Sequence, residues 1–475
     1  MKIKIKKRRK VVFLLHFCPI LCYTVKKGGF QMSRFLFFAS ILLLIFCMEV
    51  EAAPRTPEEL ADSPAVILVE QTTGRVLYAR NERERRYPAH LTNMLTALVA
   101  AEHLAVEEEI IVGTEIRVMP PGFGLNVHSE GEVATVHTLL NSLLVRSSGE
   151  AARVLALNTV RRTEGRRNIP YTEAERAFAV LMNEKALSLG ARGSHFANPF
   201  GGHADNHFTT AYDLAIITRA FMQNPILAEI TGTGTYGEWT NSNQMLPDAP
   251  LGYIHMTGGI AGLTTPAGHV FAGAAHDNRR DLGFVTIVLG GTDPQRWSDT
   301  RRLMDYAFYN YHFREIVREG QILQTVLIEN PRLGDPDVLE IIAAESHVVL
   351  LNHAEYEEIE KTITFDPLLE VLGAENPTLR APVEYGEAAG RAAFLLNGEV
   401  LFEAAVLPAR EVIPRSFDSD MDYYLAAIIG NVFTRRALPY WFGVFGVAFG
   451  IFGIVLAIKS RTGSAVRTSG RFGRY

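Results

Sequence analysis

Cysteine is almost missing from this chain, and its placement matters. Cys18, Cys22 and Cys47 are the only three among 475 residues, and all lie within the first 52. A body without cysteine has no disulfide framework, no thiol nucleophile and no thiolate-bound zinc. Basic residues are also scarce in that body. Residues 53–458 hold 32 Lys/Arg against 50 Asp/Glu, a net of −18, although the whole chain stands at −5. Nucleic acids are held by Lys and Arg, so no nucleic-acid partner is expected. Gly (39) and Pro (22) are ordinary in number, which excludes collagen-like and disordered classes. There is no internal repeat or low-complexity tract. The length implies two or more domains.

The positive charge is gathered at the two ends. Residues 1–52 contain ten Lys/Arg and only Glu49 and Glu51, and 459–475 contain five Lys/Arg and no acid. Ser33-Arg34, an apolar run over 35–48, then Val50-Glu51-Ala52 have the order of a secretory signal peptide. It would span 32–52, with cleavage near Ala52 or Ala53. An uncleaved anchor is the other reading, given the bulky Val50. Met32 would start a signal of ordinary length, so 1–31 reads as an N-terminal extension or the front of a long signal. Residues 437–458 are uncharged, apolar and about long enough to span a bilayer. Tyr440 and Trp441 stand where interfacial aromatics anchor, and Lys459, Arg461, Arg467, Arg471 and Arg474 follow. Positive-inside logic places the 459–475 tail in the cytoplasm and the body outside the cell membrane.

Between these ends, 57–312 is expected to be mixed α/β. Ala65–Glu70 and 75–79 read as strands joined through Thr72-Thr73-Gly74. Apolar residues at 91–104, 139–160 and 297–311 fit helices, and 269–275 and 283–290 fit strands. Strands at both ends with helices between predict one sheet whose first and last strands pair. Residues 317–412 turn β-rich, with runs at 322–328, 347–352 and 391–407. The last run holds Asn397-Gly398, a strong hairpin signal. A small all-β domain is expected there, then a connector over 413–436.

Met182-Asn183-Glu184-Lys185-Ala186, Leu189-Gly190, His195-Phe196-Ala197-Asn198-Pro199 and the stretch 206–215 follow one another in a telling order. They resemble the serine-type D-alanyl-D-alanine carboxypeptidases, the low-molecular-weight penicillin-binding proteins. Residues 69–79, 88–98, 139–156 and 288–306 match as well. Ala381-Pro382-Val383 with Gly386 and Gly390 resembles the β-rich domain that follows the catalytic one. The resemblance implies a penicillin-binding/β-lactamase-like transpeptidase domain, a small all-β domain and one C-terminal transmembrane helix. It implies no cofactor, no metal, and peptidoglycan stem peptides as substrates.

The family's chemistry is acyl transfer. A Ser attacks the D-Ala-D-Ala amide, and a Lys three residues on, along the same helix face, takes its proton. Where the family has Pro-Ala-Ser-Leu-Thr-Lys, this chain has Pro88-Ala89-His90-Leu91-Thr92-Asn93. An amide side chain is no general base. The family's Ser-x-Asn aligns on Ser147-Ser148-Gly149, with Ala151-Ala152 following. A shift by one puts Glu150 at the Asn position, and neither register restores the motif. The family's Lys-Thr-Gly continues as Leu263-Thr264-Thr265-Pro266-Ala267-Gly268 does here. Counting back places Ile260-Ala261-Gly262 on that motif and makes Met256-Thr257-Gly258 a decoy.

With nucleophile, base, Asn and substrate-binding Lys all replaced, the expectation is a pseudoenzyme of the bacterial cell envelope. It would bind a peptidoglycan peptide or another cell-wall protein. The alternative is an active carboxypeptidase with a rearranged site, using Ser147 or Ser148, beside which no base is evident. His90 would sit at a helix N-terminus, where the macrodipole disfavours imidazolium. It either fills space or, while neutral, hydrogen-bonds a ligand. His203 and His207 are four apart, but Gly201-Gly202 and Asp205-Asn206 mark a loop without further ligands, so no metal is assigned. The acidic run at 107–109 reads as a solvated face.

Overall fold

The computed structural model describes residues 60–463, apart from 118, 433 and 435–437. The leader, its three cysteines and the tail beyond 463 lie outside the described residues.

A five-stranded antiparallel sheet organises the N-terminal part. Its strands are β1 (Ala65–Glu70), β2 (Val76–Arg80), β3 (Met256–Thr264), β4 (Gly268–Asp277) and β5 (Leu282–Gly291), in the order β2-β1-β5-β4-β3. The first strand and the last do pair, with Ala65 opposite Leu289 and Ile67 opposite Ile287. All six residues of β1 are buried, because both faces of the sheet are covered. Alternation sends Ala65, Ile67 and Val69 into one apolar layer with Val285 and Ile287. On the opposite face Phe271 meets Trp297 (centroids 4.9 Å) and Phe284 meets Phe308 (4.8 Å). Each such buried side chain is worth about 1.5–3 kcal/mol. The β1–β2 turn is held by the buried Glu70 carboxylate, which accepts from Thr72 N (2.7 Å) and Thr73 N (2.5 Å).

The helices are α1 (Thr92–His103), α2 (Val136–Val145), α3 (Gly149–Glu164), α4 (Tyr171–Leu189), α5 (Ala211–Met222), α6 (Pro225–Gly232) and α7 (Asp293–Asn310). Residues 92–100 are buried without interruption, because α2, α3, α4 and α5 surround α1. Helix α7 covers the other face, against β4 and β5. One expectation is corrected here. The apolar period over 139–160 belongs to two helices, not one. Ser147 takes φ +59, a left-handed conformation that no helix interior accepts, and Ser148 then caps α3 by accepting from Ala151 N (3.3 Å).

The second sheet contains β6 (Ile322–Glu329), β7 (Val338–Ala343), β8 (Glu360–Phe365), β9 (Thr378–Arg380), β10 (Gly390–Leu396) and β11 (Glu399–Pro408), in the order β8-β10-β11-β7-β6-β9. Its core includes Val326, Leu339, Ile341, Phe394 and Val406. Asn397 (φ 52) and Gly398 (φ 82) close the β10–β11 hairpin in the left-handed geometry that this dipeptide favours. The 413–436 segment holds α8 (Phe417–Val432). Met421, Tyr424, Leu425 and Ile428 stand exposed along it. Helix α9 (Leu438–Gly463) follows. Its Pro439–Lys459 part is long and apolar enough to cross a membrane, with mean hydropathy 2.3.

Candidate functional site

Four elements converge beside the N-terminus of α1. They are the turn 88–91 leading into that helix, the α2–α3 junction, the end of edge strand β3, and the loop 119–127. Ala89 lies at φ +47, and a 3-10 turn over Ala89–Leu91 presents His90. Leu263 of β3 donates its backbone N–H to His90 Nδ1 over a long 3.4 Å. A ring that accepts at Nδ1 carries its proton at Nε2 and is neutral. Burial pushes its pKa down from 6.5 to about 4, which keeps it so. The Phe123 ring lies over the imidazole, with centroids 4.9 Å apart, and Phe200 meets Phe123 edge-on at 5.1 Å.

Gly262 is the residue beside His90. A Cβ added there would stand 2.9 Å from Val270 Cγ2 and 3.0 Å from His90 N, so only glycine lets strand and turn approach this closely. Gly258, by contrast, lies against Thr231 of α6. Ile260 is fully buried and belongs to the same apolar cluster as Leu91, Leu139 and Leu143, while Ala261 is 7% exposed. Position 260 therefore offers no charge to a ligand.

Asn93 is buried at the second residue of α1. Its amide donates to Leu143 O (3.2 Å), and its Oδ1 has no hydrogen-bond partner among the described residues. Ser147 Oγ is likewise buried and unpartnered. Gly149 opens α3 and donates its N–H to Phe123 O (3.1 Å). A Cβ at this position would come 2.6 Å from Met119 Cε and 2.8 Å from Phe123 O. The loop 119–127 thus occupies the space a larger side chain would need.

Sequence reasoning missed the clamp on that loop. Glu150, buried at the first turn of α3, accepts from Asn126 N (2.8 Å) and Val127 N (3.3 Å). It also accepts from Ser148 Oγ (3.3 Å), so a carboxylate does stand beside Ser148. Ser148 is nevertheless fully buried, with its oxygen capping α3. A second array was also missed. Ser142 Oγ lies 2.8 Å from His128 Nε2, and His128 Nδ1 lies 3.1 Å from Glu132 Oε1. The spacing is that of a catalytic triad. Ser142 is completely buried, however, and its hydroxyl donates to Leu139 O (3.1 Å). The array pins the 128–132 segment onto α2 and gives no substrate access to the hydroxyl.

His203 and His207 part company. His207 is buried, and its Nδ1 accepts from Asn198 Nδ2 (3.1 Å) while Nε2 donates to Thr92 Oγ1 (3.0 Å). Burial, reinforced by His195 and His203 nearby, lowers its pKa to about 3. Nε2 thus joins the 195–209 segment to α1, and Nδ1 braces that segment internally. His203 stays exposed, edge-on to Tyr87 at 4.7 Å.

The five-stranded sheet with its helical layers, followed by a β-rich domain, defines a penicillin-binding-protein-like fold. Comparisons with known proteins agree. The D-alanyl-D-alanine carboxypeptidase family profile matches residues 51–292. D-alanyl-D-alanine carboxypeptidase DacF of Bacillus subtilis is 24% identical over 396 residues, 79% of this chain and 93% of that protein. DacB2 of Mycobacterium tuberculosis is 28% identical over 277 residues, 55% of this chain and 88% of its own. Among solved structures, D-alanyl-D-alanine carboxypeptidase DacD from Francisella tularensis superposes with a TM-score of 0.56 at 20% identity, over 77% of this chain and 96% of that one. Penicillin binding protein 6B from Escherichia coli gives 0.54 at 21%, over 75% and 98%. This chain belongs to the D-alanyl-D-alanine carboxypeptidase family.

Proposed function

We propose that this chain is a catalytically inactive member of its family. It binds a peptidoglycan peptide or scaffolds a cell-wall protein at the outer face of the cell membrane, with α9 as its anchor. One observation carries the reading: the space where acyl transfer would occur is filled by the protein itself. His90 stands where the family has its nucleophile, and its Nδ1 takes the Leu263 N–H. A backbone N–H so placed is the kind of donor that stabilises negative charge on an acyl oxygen, and here it is engaged. Phe123 caps the ring, and the loop behind it packs onto Gly149.

The residues left over supply no replacement chemistry. Asn93 has no titratable proton to exchange near neutral pH. Ser147 Oγ is buried without a base among the described residues, and Ser148 is a helix cap. Losses of catalytic groups that act as a unit are not made good one at a time.

The test is intact-mass analysis of the protein after incubation with a β-lactam. The expected spectrum shows the unmodified mass. A stable adduct mapping to Ser147 or Ser148 would overturn the inactive reading in favour of a rearranged carboxypeptidase. Retention on immobilised peptidoglycan fragments would support ligand binding, and capture of a defined wall protein would support scaffolding.

A further inference from the structure

A groove remains open beside the closed centre. Its first lobe, about 490 Å³, lies between the tip of β3 and Pro120, Phe123 and Phe200. A second lobe, about 380 Å³, is lined by Arg85, Tyr87, Asp205, Phe208, Pro266 and Ala267. The two adjoin along the chain. Leu263, Thr264 and Thr265 border the first lobe and Pro266 and Ala267 the second, just as His203 borders the first and Asp205 the second.

The charges of the second lobe do not cancel among themselves. Glu84 and Arg86, also on its wall, pair with each other at 2.8 Å. Arg85 and Asp205 are left. The Arg85 guanidinium is seated on the Phe208 ring, 4.4 Å from its centroid, and no carboxylate lies within 4 Å of it among the described residues. Asp205 is fully exposed, and its nearest cationic neighbour is His203 Nε2 at 3.9 Å, beyond hydrogen-bond reach. Opposite charges that share one pocket without meeting leave a gap suited to a ligand carrying both signs. A singly charged ligand would gain one contact and face repulsion from the other group. Stacking also holds the Arg85 fork in place, so less side-chain freedom is lost when it engages a carboxylate.

We propose that the second lobe is a recognition site for a short zwitterionic peptide, with Arg85 taking its C-terminal carboxylate and Asp205 its ammonium. The assignment rests on the ligand-binding reading above and deepens it. It moves carboxylate recognition from position 260, where Ile is buried and uncharged, to the far end of the groove.

Calorimetric titration of the full-length protein in detergent tests this. The probes are the tripeptide L-Lys-D-Ala-D-Ala, its diacetylated form and its C-terminal amide. Blocking either end should weaken binding about ten-fold, the worth of one charge-assisted contact. Arg85→Gln should bind the acid and the amide equally, and Asp205→Asn should bind the amine and the acetylated form equally. If both variants discriminate among the three peptides as the unmodified protein does, the assignment fails while peptide binding stands. If the unmodified protein binds none of them, both readings fail together.

Discussion

His90 Nδ1 accepts the backbone N–H of Leu263, and these two residues lie 173 positions apart in the chain. The contact ties the turn before α1 to the tip of the edge strand β3. It also decides the charge of the imidazole, because a nitrogen that accepts cannot carry a proton. The closed state of the site is therefore a state of neutral His90.

Stability should fall with acid for that reason. His90 titrates at about 4 in the folded chain against 6.5 when unfolded. With the folded pKa depressed, the unfolded chain takes up the proton first. Its contribution is complete above about pH 6.5, declines as pH falls, and is gone below about pH 4. At about 1.4 kcal/mol per ten-fold change in proton affinity, the upper bound is about 3 kcal/mol. Denaturant melts from pH 7 to 4 check this. His90→Asn should flatten the slope, and an unchanged slope would mean that the ring titrates normally.

Gly149→Asn installs the residue that the motif resemblance leads one to expect at this position. The new Cβ would meet Met119 Cε and Phe123 O, so the loop 119–127 must lift. Overpacking of this kind costs about 1–3 kcal/mol. Limited proteolysis should reveal new cleavage within 119–127, while β-lactam labelling stays absent. A variant as resistant as the parent would show that the loop yields without strain.

Ser147→Gly should stabilise. Serine at φ +59 bears a left-handed strain of about 1–2 kcal/mol, and its hydroxyl is buried without a partner among the described residues. Glycine removes both costs and gives back about 0.5–1 kcal/mol in chain entropy. A net gain of about 1 kcal/mol is expected in urea unfolding. A loss would show that the Ser147 hydroxyl is held by an interaction that its surroundings conceal.

Much of the fold is legible in the residues. The uninterrupted Ala-Val-Ile-Leu-Val of β1 announces a strand covered on both faces, and Asn397-Gly398 announces its hairpin. The break at Ser147 is not legible, because the apolar spacing of Leu139 and Leu143 runs on in register through Val154 and Leu157. Motif spacing directs attention to positions 90, 93, 149 and 260. What packs around them is not legible. Phe123 sits in a Pro-Pro-Gly segment without periodicity, and Glu150 holds the loop through the backbone donors of Asn126 and Val127. Backbone donors leave no mark on composition. Arg85 and Asp205 are ordinary surface charges until the loop carrying Asp205 folds back beside β2 and the turn after it.

Ala89 takes a left-handed backbone immediately before His90. Alanine adopts φ +47 only because its surroundings compel it. The turn is therefore a socket built by the scaffold, indifferent to the side chain mounted in it. Such a part permits exchange: a single codon can remove a reactive group, or return one, without refolding the protein around it. The same geometry would hold a redesigned side chain at position 90 as firmly as it holds the imidazole.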